Sequence, residues 1–406
     1  MQITNNAVAA KAAIAHSIKA SNNASEVLAD DSAASTKLAA DESPKAVVKT
    51  VTPKVVENGT ACGKPRFVID SQSVINDKSG FSKKLLCDGL TFTAGQACAY
   101  SCTFCYVESI LSKVANLRKI QTERGLKFEE MTVDIKDAAA KVRKYLTKEE
   151  KPKFADLKDK RVIYGSPLVD IAATMDQVRV TVDICKAILE LTHWQIRLLS
   201  KSSFLKQVAQ QIPVEYKDRV IYGLSSGTLD SELAKSFEKG TALVSKRLET
   251  LKWLQDNGYR TYGMICPILP QKDYAAFAKK MLATIDVEKC EHIWAEVINL
   301  RGDSLTATAR ALRDGSYNDE ADLLEKVMNN KVEWEKYART TFEALAEVVP
   351  HEKLRFLQYV NQGNLAWWTE RENKGAVLLK HATSKKRKNA KKKEAAETQT
   401  EASDEI

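Results

Sequence analysis

Strand and helix signals alternate along the middle of the chain, and this alternation is the strongest constraint on its fold. Runs rich in β-branched and aromatic residues predict strands at Leu90–Gly95, Arg161–Ser166, Trp194–Ser200, Arg219–Ser225, Tyr259–Leu269 and His292–Leu300. Helical spacing follows most of them, at Val133–Leu146, Met175–Leu191, Ser203–Gln211, a helix capped by Asp230, Val244–Asn257 and Asp273–Ile285. Strands joined through helices pair in parallel by right-handed crossovers. The pattern therefore predicts an α/β fold, a partial (β/α)6 barrel with its functional site at the C-terminal ends of the strands.

Composition separates this middle from both ends of the chain. Residues 1–60 contain no aromatic residue and are rich in Ala, Ser, Asn, Lys and Asp. Such a segment cannot bury enough apolar surface to offset the entropy of ordering. We expect a disordered arm at 1–60, a core barrel at 65–305, a helical extension at 306–380 and a charged disordered tail at 381–406. The extension ends in an aromatic patch of Phe356, Tyr359, Trp367 and Trp368.

Charge, cysteine usage and hydropathy narrow the class of protein. The chain has 62 Lys and Arg against 53 Asp and Glu, a net charge of +9 that permits a polyanionic partner without requiring one. Eight cysteines in 406 residues are too few for a disulfide scaffold, and three of them lie within eight residues, which indicates a metal site in a reducing compartment. No apolar run approaches the ~18 residues that span a membrane, and the N-terminus lacks the apolar core of a secretory signal. These features predict a cytoplasmic protein.

The clustered cysteines are Cys98, Cys102 and Cys105, and they come directly after the first predicted strand. Thiolates are soft ligands that favour iron–sulfur clusters or zinc. A structural zinc site usually has four protein ligands in two pairs, and an ordinary four-iron cluster has four cysteines. Three cysteines at C-x3-C-x2-C spacing would leave one iron open to a ligand that is not protein. Two alternatives remain, a zinc site completed by a distant Cys or His, and three cysteines that only fill the core.

This spacing, with the aromatic Phe104 before the last cysteine and Tyr106 after it, resembles the signature of the radical S-adenosylmethionine (SAM) superfamily. The resemblance implies a radical SAM partial barrel in which Cys98, Cys102 and Cys105 hold a 4Fe-4S cluster. It implies that SAM chelates the open iron and is cleaved reductively to methionine and a 5′-deoxyadenosyl radical, which abstracts hydrogen from a substrate. A reductant such as flavodoxin or ferredoxin is the implied partner.

Further stretches resemble the spore photoproduct lyase-like branch of that superfamily, whose members are often called DNA repair photolyases. They are Arg197–Ser202, Leu224–Glu238, Lys246–Gly258 and Met264–Pro270. The similarity runs from about residue 85 to residue 305 and, with the net positive charge, makes a nucleic acid the candidate substrate for repair or modification. The lyase has a hydrogen-donating cysteine downstream of its cluster. Residues 106–184 here contain no cysteine, which argues against a spore-lesion substrate.

Polar residues at the predicted strand ends are the cofactor contacts that the resemblance implies. They are Gly165, Ser166, Asp170, Ser200, Lys201, Ser202, Ser225 and Arg301. The first three end strand two, where the superfamily contacts the SAM amino group, and the next three end strand three, where ribose or carboxylate contacts belong. Arg301 could pair with a carboxylate of SAM or of the substrate. A capped turn, a solvated Lys201 and a surface ion pair for Arg301 are the alternatives.

Cys266 shares a strand face with Tyr262 by the alternation of side chains along a strand. If that face lines the barrel, Cys266 could donate a hydrogen atom to a substrate radical, with Tyr262 as a relay. A free cysteine is more often an inert core residue, and that alternative stays open.

The C-terminal tail carries a basic run at Lys385–Lys393, followed by an acidic stretch at Glu394–Ile406. A nucleic-acid arm, a nuclear signal and a solvated tail all fit this pattern. An arm would bind DNA or RNA through phosphates, with steep salt dependence and no sequence choice. The sequence thus predicts a radical SAM enzyme. The competing hypothesis is a non-catalytic zinc or iron–sulfur protein whose basic tail docks a partner.

Overall fold

The computed structural model describes residues 55–72, 74–165, 167–300 and 303–380. Its strands are β1 Val55–Ala61, β2 Lys64–Ile69, β3 Ile75–Asn76, β4 Leu90–Phe92, β5 Gly95–Ala97, β6 Ser101–Cys102, β7 Thr132–Ile135, β8 Thr147–Lys148, β9 Lys151–Pro152, β10 Val162–Gly165, β11 Gln195–Ser200, β12 Val220–Ser225, β13 Glu238–Lys239, β14 Arg260–Ile268, β15 Cys290–Val297, β16 Leu354–Val360 and β17 Ala376–Lys380. Its helices are α1 Val107–Leu111, α2 Ala115–Arg124, α3 Ala138–Leu146, α4 Met175–Leu191, α5 Leu205–Gln211, α6 Ser231–Phe237, α7 Val244–Asp256, α8 Tyr274–Ile285, α9 Ser304–Asp314, α10 Asn318–Met328, α11 Lys331–Ala346 and α12 Leu365–Thr369. Short 3-10 turns occur at Gly80–Lys84, Phe128–Glu130, Val214–Arg219, Val287–Lys289 and Glu372–Lys374.

The main sheet has nine strands in the order β17-β16-β15-β14-β12-β11-β10-β4-β3. Neighbours from β4 to β17 are parallel, and the edge strand β3 is antiparallel to β4. Strand β12 is buried along its whole length, as expected because a parallel strand is covered on both faces. The predicted α/β fold with a parallel sheet is confirmed. Within the described ranges β3 and β17 are the two edges of this sheet, so no closed barrel forms.

The structure differs from the sequence prediction in two segments. The part of the chain at 306–380, predicted as helical, also contributes β16 and β17, so the sheet has eight parallel strands instead of six. Phe356 and Tyr359 of the aromatic patch belong to β16. The segment Val133–Leu146, predicted as one helix, contains most of strand β7 and then helix α3. Strand β7 forms because its main chain pairs with β2 on one side and β5 on the other, which are distant in sequence.

Helices pack on one face of the main sheet, and two of them begin at caps: Asp230, which was predicted as a cap, and Asp273, which was predicted as the first residue of its helix. Asp230 Oδ1 accepts the main-chain N–H of Leu233 (3.0 Å) at the start of α6. Asp273 Oδ1 accepts that of Ala276 (2.9 Å) at the start of α8. Helix α4 has its predicted bounds and buries one stripe at helical spacing, which includes Val178, Val182, Cys185 and Leu189. The apolar positions at helical spacing in the sequence are therefore the ones that pack against the sheet.

The opposite face of the main sheet packs on the segment 79–87 rather than on α-helices. Buried side chains of this face form a cluster with Leu86 and Cys87: Tyr164, Ile221, Tyr262, Met264, Trp294, Leu357 and Leu379. Arg197 Nη1 donates a hydrogen bond to the main-chain oxygen of Leu86 (2.7 Å), and Trp294 Nε1 donates to that of Lys84 (2.8 Å). These contacts hold the segment against the strands and cover this face of the sheet.

A smaller sheet, in the order β1-β2-β7-β5, leads into the cysteine motif through β5. Its hairpin β1–β2 begins at Val55, inside the segment 1–60 that was predicted to be a disordered arm, because the main chain of β1 pairs with β2. The rest of that arm and the predicted tail 381–406 lie outside the described residues. Across the ranges that are described, no helix is long and apolar enough to cross a membrane.

Candidate active site

The three predicted metal-binding cysteines lie in a loop whose main chain is held on both sides. Strand β5 ends at Ala97, directly before Cys98. Strand β6, which contains Cys102, pairs with β13, and the N–H of Thr103 donates to the main-chain oxygen of Phe237 (2.9 Å). The loop is therefore anchored on the C-terminal end of α6, an element far from it in sequence.

All three cysteines line one cavity of about 800 Å³, to which the C-terminal ends of several parallel strands also contribute. Other predicted site residues on its wall are Phe104, Tyr106, Asp170, Ser200, Lys201, Ser225 and Cys266. The volume is within the range of small-molecule and cofactor sites. The cavity lies where parallel β/α sheets bind their ligands.

The donor set of three thiols and nearby main-chain N–H groups is of a kind that an iron–sulfur cluster uses. Cys98 Sγ accepts main-chain N–H groups from Tyr100 (3.4 Å) and Asp170 (3.3 Å), and hydrogen bonds to sulfur are one way in which proteins tune such clusters. In the described part of the chain, no three His, Cys, Asp or Glu side chains converge as they would around one ion. Zinc draws its sulfur ligands to about 2.3 Å from one point, whereas the cysteines of a four-iron cluster bind different corners.

Burial, with the Asp170 carboxylate as the next cause, raises the pKa of Cys98 to about 12, and burial also raises that of Cys102, whereas Cys105 is exposed. Thiols in such surroundings keep their protons near neutral pH. A metal binds the thiolate, so loading the site would release these protons.

Asp170 connects the cysteine loop to the turn that follows β11. Its main-chain N–H donates to Cys98 Sγ, and its carboxylate accepts hydrogen bonds from Ser200 Oγ (2.7 Å) and from the N–H groups of Lys201 (2.7 Å) and Ala172 (2.9 Å). Burial raises the pKa of Asp170, and the hydrogen bonds from Lys201, Ser200 and Ala172 oppose this shift. Asp170 therefore positions the polar part of the cavity wall relative to the cysteines.

The ammonium of Lys201 is bound by the protein rather than solvated. Its Nζ donates to Glu238 Oε1 (2.6 Å), to Ser225 Oγ (3.0 Å) and to the main-chain oxygen of Cys266 (3.1 Å). Glu238 also lies 2.6 Å from Arg247 Nη2, and both side chains of that ion pair are 1% exposed. Glu238 and Arg247 were not predicted as site residues, because an ion pair between two helix ends leaves no periodic signal in the sequence.

Glu238→Gln is expected to lower the free energy of unfolding by about 3–5 kcal/mol, because it leaves the charges of Lys201 and Arg247 partly buried without a counter-charge. Urea unfolding followed by circular dichroism measures the change. The control is Glu232→Gln in α6, which removes an exposed pairing with Lys235 and should cost no more than about 0.5 kcal/mol. A cost below about 1 kcal/mol for Glu238→Gln would contradict a buried charge network.

A second ion pair on the cavity wall joins Lys84 and Glu296, and the sequence analysis singled out neither residue. Lys84 Nζ donates to both carboxylate oxygens of Glu296 (3.1 and 3.0 Å). Burial lowers the pKa of Lys84, but Glu296 more than offsets this and the net shift is upward. The rings of Phe81 and Tyr164 stack nearby, with centroids 5.3 Å apart. This part of the cavity wall therefore consists of two aromatic rings and the Lys84–Glu296 ion pair.

Cys266 faces the cavity, but its predicted relay Tyr262 does not. Burial, with Glu296 as the next cause, raises the pKa of Cys266 to about 12, so this thiol keeps its hydrogen near neutral pH. Tyr262 is fully buried against Trp294, with ring centroids 5.2 Å apart. Its hydroxyl has no hydrogen-bond partner among the described residues. A relay through Tyr262 therefore has no hydrogen-bonded path in the described structure.

Gly165 and Ser202, predicted as cofactor contacts, are not on the cavity wall. A Cβ atom at Gly165 would lie 2.6 Å from Leu198 Cδ2, so close packing explains the glycine. Ser202 is 3% exposed, and its Oγ accepts the N–H of Phe204 (3.1 Å) in a turn. Two predicted contacts lie outside the described residues and stay predictions: Ser166 and Arg301.

Comparisons with known proteins give similarity to solved structures alone. No family model and no curated protein matches the chain. A spore photoproduct lyase variant with bound AdoMet and dinucleoside spore photoproduct is 12% identical, with a TM-score of 0.42 over 60% of this chain and 65% of that one. Spore photoproduct lyase complexed with dinucleoside spore photoproduct is 12% identical, with a TM-score of 0.43 over 61% and 66%. The chain thus spans about 65% of the length of these structures, and the likeness concerns the fold alone.

Proposed function

We propose that this protein is a radical SAM enzyme that holds a 4Fe-4S cluster through Cys98, Cys102 and Cys105, cleaves SAM and abstracts hydrogen from a substrate. The observation that carries the proposal is the single cavity at the ends of parallel strands that all three cysteines of the C-x3-C-x2-C motif line. Three thiolates from one motif suit a cluster with one open iron.

When bound, the reduced cluster would supply the electron for reductive cleavage of SAM. The chain itself would bind and orient the two charged groups of the SAM methionine moiety. We propose that the Asp170 carboxylate faces the ammonium group of SAM. Ser200, Lys201 and Ser225 lie on the same wall, and their donors bind Asp170, Glu238 and the main-chain oxygen of Cys266, so each would exchange one of these bonds to reach a carboxylate or ribose oxygen. The Phe104 ring lies under Lys201 Nζ, 5.4 Å from ring centroid to nitrogen, which restricts the position of that ammonium.

For the substrate we propose a nucleic acid, to be repaired or modified. Support comes from the sequence resemblance, from the net charge of +9 and from the basic run Lys385–Lys393, which lies outside the described residues. Cys266, protonated and facing the cavity, is the proposed hydrogen donor to a substrate radical. The Lys84–Glu296 pair and the ring surface beside it form the part of the wall that is left for the substrate.

One observation favours a second candidate, a closed four-cysteine zinc or iron–sulfur site without catalysis. Cys62 lies exposed in the turn between β1 and β2. The neighbouring Ala61 packs against the cluster of Ala99, Tyr100 and Ala173 that Cys98 and Cys102 also contact, so Cys62 lies near the cysteine loop. With Cys62 as fourth ligand the site would have no open position, as is typical of structural sites.

Cys62→Ser separates the two candidates. We expect both the unsubstituted protein and Cys62→Ser to hold about four irons per chain after anaerobic reconstitution, because three protein thiolates suffice for a cluster with an open iron. In both proteins, SAM should change the electron paramagnetic resonance spectrum of the reduced cluster. Loss of iron from Cys62→Ser, or a SAM effect in that variant alone, would favour the closed site. Recovery of one zinc and no iron from anaerobically expressed protein would contradict the proposal.

A further inference from the structure

Strand β2 begins at a lysine whose side chain reaches the cysteine loop. Lys64 Nζ donates hydrogen bonds to the main-chain oxygens of Cys98 (3.2 Å) and Tyr100 (2.8 Å). These two oxygens flank Ala99, at the start of the loop that carries the first proposed ligand. One ammonium therefore fixes the direction of the main chain at that ligand.

The strand that carries Lys64 is itself fixed from the other side. Two residues further on, Arg66 Nε donates to Asp134 Oδ2 (2.5 Å) in β7, and its Nη1 donates to Asp176 Oδ2 (2.7 Å) in the first turn of α4. Both carboxylates belong to other elements of the fold. These two ion pairs fix the strand that carries Lys64, and they therefore restrict where its ammonium can lie.

Lys64 brings a positive charge to the proposed cluster without a carboxylate to cancel it. Among the described residues, Lys64 forms no ion pair with Asp or Glu. Its ammonium instead lies against the main chain of Cys98 and Tyr100, so the positive charge is placed at the cysteine loop. A four-iron cluster on three thiolates is anionic, and one-electron reduction makes it more so. Net charge and nearby hydrogen bonds set the reduction potentials of such clusters.

We infer that Lys64 is a positioning residue whose charge makes the cluster easier to reduce and whose hydrogen bonds orient the cysteine loop. The inference rests on the proposed function. One electron passes from the reductant, a protein of the flavodoxin or ferredoxin class, to the cluster, and no bond forms or breaks at Lys64. The ammonium stabilises the additional negative charge that the cluster then carries.

The test compares Lys64→Gln, which keeps an N–H donor but loses the charge, with Lys64→Arg, which keeps both. Redox titration followed by electron paramagnetic resonance gives the ratio of reduced to oxidised cluster at a fixed potential. We expect this ratio to fall about tenfold in Lys64→Gln, equivalent to a midpoint about 59 mV lower for one electron. It should be unchanged in Lys64→Arg and in the control Lys252→Gln, which removes an exposed lysine of α7. Circular dichroism checks the fold of each variant.

Loss of iron from Lys64→Gln but not from Lys64→Arg would also support the inference, since the charge is then needed to hold the anionic cluster. An unchanged ratio in Lys64→Gln would overturn it. Equal shifts, or equal loss of iron, in Lys64→Gln and Lys64→Arg would overturn it as well, because the effect would follow the shape of lysine and not its charge. Absence of iron from the unsubstituted protein would instead refute the proposed function on which the inference depends.

Discussion

Replacing Cys98, Cys102 or Cys105 with Ala is expected to reduce the bound iron from about four per chain to nearly none after anaerobic reconstitution. Each cysteine supplies one of the three proposed thiolates, so a variant keeps two, fewer than the proposed cluster needs. Burial adds to the effect, because the remaining thiols have raised pKa values and stay protonated when no metal competes for them. Iron content and visible absorption measure the loss.

The matched controls for this experiment are Cys62→Ser and Cys266→Ser. The first thiol is exposed beside the loop and the second faces the same cavity, yet neither belongs to the motif. Both variants should keep their iron. Full iron content in any of the three Ala variants, with the fold intact by circular dichroism, would show that the assigned cysteine is not a ligand.

Asp170→Asn is expected to slow SAM cleavage by about 10²-fold while iron binding is retained. The Asp170 carboxylate accepts hydrogen bonds from Ser200 Oγ and from the N–H groups of Lys201 and Ala172. An amide offers one acceptor oxygen and one donor nitrogen, so at least one of these donors would face another donor. The turn that carries Ser200 and Lys201 would then shift relative to the cluster. Iron should remain, because the bond from Asp170 to Cys98 comes from the main chain.

Single-turnover formation of 5′-deoxyadenosine measures this effect. The control is Asp319→Asn, the same chemical change at an exposed residue whose partner is the surface Lys272. That variant should cleave SAM as fast as the unsubstituted protein. An Asp170→Asn protein that loads iron and cleaves SAM at the normal rate would show that the carboxylate neither binds nor positions anything needed for the reaction.

Local sequence signals predicted those parts of the fold that local interactions determine. Helix α4 has the predicted bounds because its apolar stripe recurs at helical spacing and Thr174 caps its start. Asp230 was recognisable as a cap, since a cap bonds main-chain groups two or three residues away. The cysteine motif was recognisable for the same reason, because its spacing lies within one loop.

Features that depend on pairing between distant residues could not be predicted in this way. Strand β16 is held in the sheet by pairing with β15 and β17. Because the segment before it is helical, the local sequence pattern predicted a helical extension there. The contacts of Glu238 with Lys201, of Glu296 with Lys84 and of Lys64 with the cysteine loop each connect elements far apart in the chain. Nothing in the local pattern distinguishes these charged residues from those on the surface.

Whether this protein cleaves SAM is tested directly by mass-spectrometric detection of 5′-deoxyadenosine after reduced, reconstituted protein is mixed with SAM. We expect 5′-deoxyadenosine to form only when the reductant is present, and we expect none to form with Cys102→Ala. The reason is that cleavage needs a reduced cluster whose open iron binds SAM in the cavity lined by Cys102. Protein with about four irons per chain and a fully reduced cluster that forms no 5′-deoxyadenosine from SAM would contradict it.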